Sequence, residues 1–175
     1  DAWAVQVILP VDSLDNVTLD GASGDVDIQK LAIKENLDLS LSSGDVQLQT
    51  VTVADKTSVQ LSSGEIDLTN VVTKDLYLSV TSGDMQLEGV IVANQTSLEA
   101  NSGDIELTQF KAGQETEISV TSGDISGDVL GKMTEYTIQS SGTSGDSNLP
   151  QELDGGYKQL RVEATSGDIN LQFEK

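Results

Sequence analysis

Apolar residues in this chain alternate with polar ones in short runs, and the runs themselves recur. Counted from a glycine taken as zero, they fall at −7, −5, −3, +2, +4, +7 and +9: Leu37, Leu39, Leu41, Val46, Leu48, Val51 and Val53 around Gly44, and Leu76, Leu78, Val80, Met85, Leu87, Val90 and Val92 around Gly83. A period of two marks a strand with one buried face, and helical spacing is absent. The runs break at the glycine, near +5 or +6 (Gln49-Thr50, Thr69-Asn70, Glu88-Gly89), and in polar stretches such as Ala54-Asp55-Lys56-Thr57. Each unit therefore predicts three short strands and three corners.

The glycine belongs to a Ser-Gly-Asp triplet, with one Asp-to-Glu change, that occurs eight times, at Gly24, Gly44, Gly64, Gly83, Gly103, Gly123, Gly145 and Gly167. Successive steps are 20, 20, 19, 20, 20, 22 and 22 residues. Such regularity signals units too small to bury a core alone, which must stack. The expected fold is all-β, a single-domain parallel β-helix (β-solenoid) of about eight coils of about 20 residues, each about 4.8 Å above the last. An antiparallel β-prism or sandwich is the alternative, although its hairpins favour Asn-Gly or Asp-Gly turns. Residues 1–16, where Trp3, Val5, Val7 and Leu9 alternate before Pro10, read as an N-terminal cap strand with the tryptophan as lid. Residues 17–175 read as the repeat domain, irregular over 125–160, where Gly127 takes the apolar +4 position and Pro150 and Asp154-Gly155-Gly156 predict a bulging loop. Phe173 is expected to close the far end of the core.

Charge narrows the partners. Acids outnumber bases 29 to 9, a formal charge of −20, which opposes binding to nucleic acid or an anionic membrane and favours cationic partners or metal ions. The absence of Cys and His removes disulfides, thiolate nucleophiles, most zinc sites and the usual general base. No apolar run is long enough to span a bilayer, so no direct membrane insertion by this segment is expected. The start at Asp1 fits a mature ectodomain or a chain cut from its leader.

Within the triplet, glycine is expected to supply the corner conformation, and strict alternation points the preceding serine inward. A serine nucleophile lacks a base, and a Gly-x-Ser-x-Gly elbow is absent. The acids at +1, Asp25, Asp45, Glu65, Asp84, Asp104, Asp124, Asp146 and Asp168, are expected to stack into an outward ridge. Its mutual repulsion needs an offset: either the carboxylates bond turn amides, or they share cations, with calcium the obvious oxygen-seeking candidate. No other cofactor is indicated. Paired carboxylates keep a glycoside-cleaving β-helix enzyme as an alternative, yet the acids are spread evenly over the coils rather than gathered at one place. No catalytic residues are assigned.

The unit Ser23-Gly24-Asp25-Val26-Asp27-Ile28, repeated as Ser43-Gly44-Asp45-Val46-Gln47-Leu48, Ser63-Gly64-Glu65-Ile66-Asp67-Leu68, Ser82-Gly83-Asp84-Met85-Gln86-Leu87, Ser102-Gly103-Asp104-Ile105-Glu106-Leu107 and Ser166-Gly167-Asp168-Ile169-Asn170-Leu171, resembles the bacterial adhesin-labelled β-helix family of SGD repeats, whose function is otherwise unknown. The resemblance covers roughly residues 17 to 173, with departures at Gly123 and Gly145. It implies a parallel β-helix at the cell envelope, on the extracellular face or secreted, with no catalytic residues to carry over. The expected function is a non-enzymatic adhesion, binding or scaffold module for an envelope or host-surface component; a divalent-cation-binding spacer is a further alternative.

Overall fold

Alternation alone would give straight strands; what closes them into coils is backbone with positive φ at fixed places. In a computed structural model that describes residues 13–174, each repeat glycine has φ between 126° and 142°. A second corner at +6 is left-handed, with Lys30 at 52°, Thr50 at 56°, Asn70 at 53°, Gly89 at 62° and Gln109 at 51°. These are the breaks that the pattern places near +5 or +6. Between corners the strands pair in parallel with their counterparts one coil away: Val46–Ser63 lies in register on Ile66–Ser82, and that strand on Ile91–Ser102. The fold is the expected parallel β-solenoid of about eight coils. The expected cap residues Trp3 to Leu9 lie outside the described residues, whereas Ser13–Leu14 already pairs with Ala32 and Ile33 in the first coil.

The core is a set of columns, one inward residue per coil. Leu19, Leu39, Val59, Leu78, Leu98, Ile118, Val162 and Ser140 form one of them. From Leu39 to Val162 the members are essentially fully buried, each contributing about 1.5–3 kcal/mol of gross apolar stabilisation. Thr57, Thr73, Thr96 and Thr116 are also buried. Thr57 donates to the Thr73 hydroxyl at 3.1 Å and Thr73 to the Asp75 carbonyl at 2.9 Å.

That column is out of chain order at its end. Numbered by their glycines along the sequence, the coils stack 1-2-3-4-5-6-8-7: Lys158–Ser166 lies between Glu115–Ser122 and Tyr136–Ser144, and Ile169–Glu174 pairs with Ile125–Lys132. The cause is in the inward residues. Ile118 is followed by Val162 and then Ser140, Val120 by Ala164 and then Gly142, Ile125 by Ile169 and then Ser147. Stacked in sequence order, the serines and glycine of coil 7 would interrupt the apolar core; placed last, they form a polar end where nothing further needs to stack. A short antiparallel strand, Glu152–Leu153, pairs with Ile138 and Gln139 and covers part of the exposed edge. Phe173 consequently does not close the core. It sits in the penultimate coil, half-buried, with its ring 5.3 Å from that of Tyr136.

Candidate functional site

At each corner except Gly145, which lies in the last coil of the stack, the glycine N–H donates to the serine carbonyl of the next coil (Gly44 to Ser63, 3.1 Å), and the +2 amide to the carbonyl of the acid there (Val46 to Glu65, 2.9 Å). The amide of the acid itself points the other way, toward the coil before, where a carboxylate accepts it. Asp45 N–H bonds Asp25 Oδ1 at 3.0 Å, Glu65 N–H bonds Asp45 Oδ1 at 2.9 Å, Asp104 N–H bonds Asp84 Oδ1 at 2.8 Å and Asp124 N–H bonds Asp104 Oδ1 at 2.7 Å. The ladder then follows space rather than sequence, from Asp124 Oδ1 to Asp168 N–H at 2.7 Å and from Asp168 Oδ1 to Asp146 N–H at 2.8 Å. The structure thus brings the eight predicted acids into one ridge, and six of them hold the next corner through a backbone amide. Among the described residues no group of three or more acids is placed to share a metal ion.

The single interruption is at Glu65, the one glutamate in the column and one methylene longer than aspartate, whose carboxylate makes no bond to the Asp84 amide. Asp104→Ala is therefore expected to cost about 0.5–1.5 kcal/mol by removing the acceptor of the exposed Asp124 amide, while Asp104→Asn, which keeps a carbonyl oxygen there, costs less. Glu65→Asp is expected to complete the ladder and stabilise by about 1 kcal/mol. Urea titration of the three variants checks both signs.

The serines are not where alternation puts them. Ser23, Ser43, Ser63, Ser82, Ser102, Ser122, Ser144 and Ser166 are all exposed. Alternation holds within a strand, but the serine already begins the corner, so it and the preceding residue both face out.

A second polar cluster sits where coils 7 and 8 meet. Tyr157 donates to Glu135 Oε2 at 2.7 Å, Lys158 Nζ lies 3.6 Å from the same oxygen, and the ammonium rests 5.1 Å from the ring centre of Tyr136 and 5.7 Å from that of Tyr157. The Tyr157 hydroxyl, then the Lys132 amide, hold the Glu135 carboxyl below its ordinary range. Burial first, then Glu135, pushes the Tyr136 phenol up to about 12. An acid whose folded pKa is raised stabilises fully below its unfolded pKa of about 10 and loses that contribution as pH climbs toward 12. Urea midpoints measured from pH 8 to 12 are expected to fall above about 10, and Tyr136→Phe to flatten that fall while losing the bond from its hydroxyl to the Leu130 carbonyl, 2.9 Å.

Two of the flat faces carry shallow grooves. One, of about 360 Å³, runs between the outward columns that follow the glycine and includes Gln47, Gln49, Asp67, Gln86, Glu88 and Glu106. The other, of about 220 Å³, lies across Ser58, Gln60, Tyr77, Ser79, Ser97 and Glu99. Alternation alone places Tyr77 outward, between the inward Leu76 and Leu78, and the structure finds it there, half-buried. The Glu135–Lys158 cluster was not readable from the chain, because Glu135 lies in the short helical turn Met133–Glu135, outside the repeat pattern.

Residues 2–172 match the Toastrack DUF4097 family. The chain belongs to that family. No curated protein and no solved structure gives a significant match to it. Membership agrees with the solenoid and supplies no activity, so what a Toastrack domain can do chemically has to come from its surface. Most carboxylates of the corner ridge in this Toastrack chain are engaged with backbone amides.

Proposed function

We propose that the chain is a non-enzymatic binding or scaffold module of the cell envelope, exposed on the extracellular face or secreted, whose flat faces engage an envelope or host-surface component. The observation that carries this reading is the division of labour among its polar groups: the acids of the repeated triplet act on the backbone, and the side chains of the intervening strands stand outward in straight columns along the stack. A rigid, periodic surface of this kind suits recognition of an extended partner. The negative charge directs it away from nucleic acid and anionic lipid. Immobilised protein incubated with labelled cells and fractionated envelopes is expected to enrich a defined component; no enrichment over a solenoid of equal charge would overturn the proposal. The carbohydrate-active alternative is read in the same material, where reducing-end or unsaturated-sugar release surviving repurification would replace binding by catalysis.

With most ridge carboxylates bonded to amides, we expect no structural cation. Melting temperatures in millimolar calcium and in chelator should agree within about 2 °C, because a cation bound only to the folded state at 100 times its Kd would add about 2.7 kcal/mol. A calcium-dependent rise of about 5 °C or more would give the column to the cation-binding spacer instead.

A further inference from the structure

We propose that the sheet face running from the triplet corner to the corner at +6 binds a Lys- and Arg-rich extended polypeptide segment, an inference that rests on the binding-module function and names its partner class. Charge is not spread evenly over this chain. Positions +1 to +5 of the eight coils hold no Lys or Arg, while the ridge acids are joined there by Asp27, Asp67, Glu88, Glu106 and Asp128. Parallel register sets the outward residues side by side, Asp27 on Gln47, Gln47 on Asp67, Asp67 on Gln86 and Gln86 on Glu106. Every ion pair among the described residues lies elsewhere, at Asp15, Asp38, Asp55, Glu117, Glu135 and Glu163. The side chains that do bond acids of this face are neutral: Gln29 donates to Asp27 at 2.9 Å and Gln47 to Asp67 at 3.5 Å. One side of the molecule is thus a sheet of uncompensated carboxylates.

The ladder sharpens the acceptor chemistry. Asp25, Asp45, Asp84, Asp104, Asp124 and Asp168 each commit Oδ1 to an amide of the next coil, and their Oδ2 atoms receive no hydrogen bond among the described residues. The amide bond holds that second oxygen in place, so acceptors repeat at the coil pitch of about 4.8 Å before any partner arrives, which lowers the ordering cost of binding. Beside this row, the shallow groove sets Gln47, Gln49 and Gln86 among Asp67, Glu88 and Glu106. Carboxamides can bond a peptide backbone while carboxylates take its ammonium or guanidinium groups. A metal ion needs carboxylates that converge, and among the described residues no three acids do so. The same field repels an anionic chain, and a neutral one leaves the carboxylates uncompensated. A straight run of fixed acceptors is complemented by a straight run of cationic donors, which an extended Lys- and Arg-rich segment supplies.

The test is calorimetric titration of the full chain with a lysine octapeptide, an arginine octapeptide and an uncharged glycine-serine octapeptide in about 0.05 M salt, where charge pairing is weakly screened. Expected is saturable binding of a cationic peptide and none of the uncharged one, with amide shifts in two-dimensional NMR centred on Gln47, Asp67, Gln86 and Glu106. Two variants of equal net charge separate this face from the charge of the whole molecule. One carries Asp27→Asn, Asp67→Asn, Glu88→Gln and Glu106→Gln, which empties the face and spares the ladder; the other carries Asp20→Asn, Glu99→Gln, Glu115→Gln and Glu152→Gln, at exposed positions elsewhere. The first is expected to weaken binding about tenfold or more and the second by no more than about threefold. All the substituted side chains face outward, so the three proteins should share the same melt, and loss of binding is not loss of fold. Equal weakening by the two variants, or no saturable binding of either cationic peptide, overturns the site. Displacement of the peptide by spermine or calcium at equal concentration of charge overturns the polypeptide class. If the envelope component is captured equally by wild type and the face variant, the site falls and the binding-module function stands; if the peptides bind at the face but no envelope component is enriched, the site stands and that function falls.

Discussion

Gly64→Val is expected to cost on the order of 4–5 kcal/mol or more and to lower the melting temperature by about 10–20 °C, whereas Gly24→Val, at the same place in the triplet, should cost far less. Two separate penalties meet at Gly64. Its φ of 133° is one that side chains rarely adopt, and a Cβ there would come within 1.9 Å of the Gly44 carbonyl oxygen and 2.7 Å of its carbon. The oxygen belongs to backbone locked into the coil before, so it cannot swing away as the end of a flexible side chain could. Gly24 shares the positive φ, at 131°, but among the described residues nothing lies within 4 Å of the same point. The pair therefore separates conformational strain from collision. Equal losses at the two positions, in matched thermal and urea melts, would show that torsion alone makes glycine necessary.

Removing residues 158–175 is expected to do more harm than the loss of one coil. It takes Leu160, Val162, Ile169 and Leu171 out of the core, each buried to within 2% and each worth about 1.5–3 kcal/mol of gross burial. It also separates coil 7 from the rest of the stack, since Tyr136–Ser144 pairs with Lys158–Ser166 and with Glu152–Leu153 but not with coil 6. Docking coil 7 directly on coil 6 would set Ser140 and Gly142 against Ile118 and Val120, a poor replacement. Hydrogen exchange and limited proteolysis should find 133–157 unprotected in the shortened protein while coils 2 to 5 remain closed, as nearest-neighbour stacking requires. A melt within about 3 °C of the full chain, with 136–144 still protected, would be the contrary result.

Most of the coil was legible because its information is local. Leu37, Leu39, Leu41, Val46 and Leu48 alternate within strands, the triplet marks one corner, and Gln49-Thr50 marks another. The order of the coils was not, for a physical reason: the triplets at Gly123, Gly145 and Gly167 are the same, so each can extend the hydrogen-bond ladder from any other. What distinguishes them is the inward residues, and Ser140, Gly142 and Ser147 identify coil 7 as one suited to the end of a stack. They lie within the stretch 125–160 that the sequence marks only as irregular. The serine directions failed because a parity rule cannot be carried through a bend. In the ridge, the column of Asp25 to Asp168 followed from period alone, but its service to the backbone needed the position of an amide hydrogen. Tyr77 was placed outward by its position between Leu76 and Leu78, in the same strand that turns Val72 to solvent.

The 1-2-3-4-5-6-8-7 order also bears on how the protein is made. Coils 1 to 6 can close one upon another as they leave the ribosome, each finding its neighbour already in place. Coil 7 emerges next and has no such partner, because the segment it rests on has yet to be translated. Its apolar groups must wait, at a synthesis rate of about 5–20 residues per second, for a strand that then slides in beneath it. Assembly from one end to the other thus stops short of completion, and the final step is a closure in which two coils settle together.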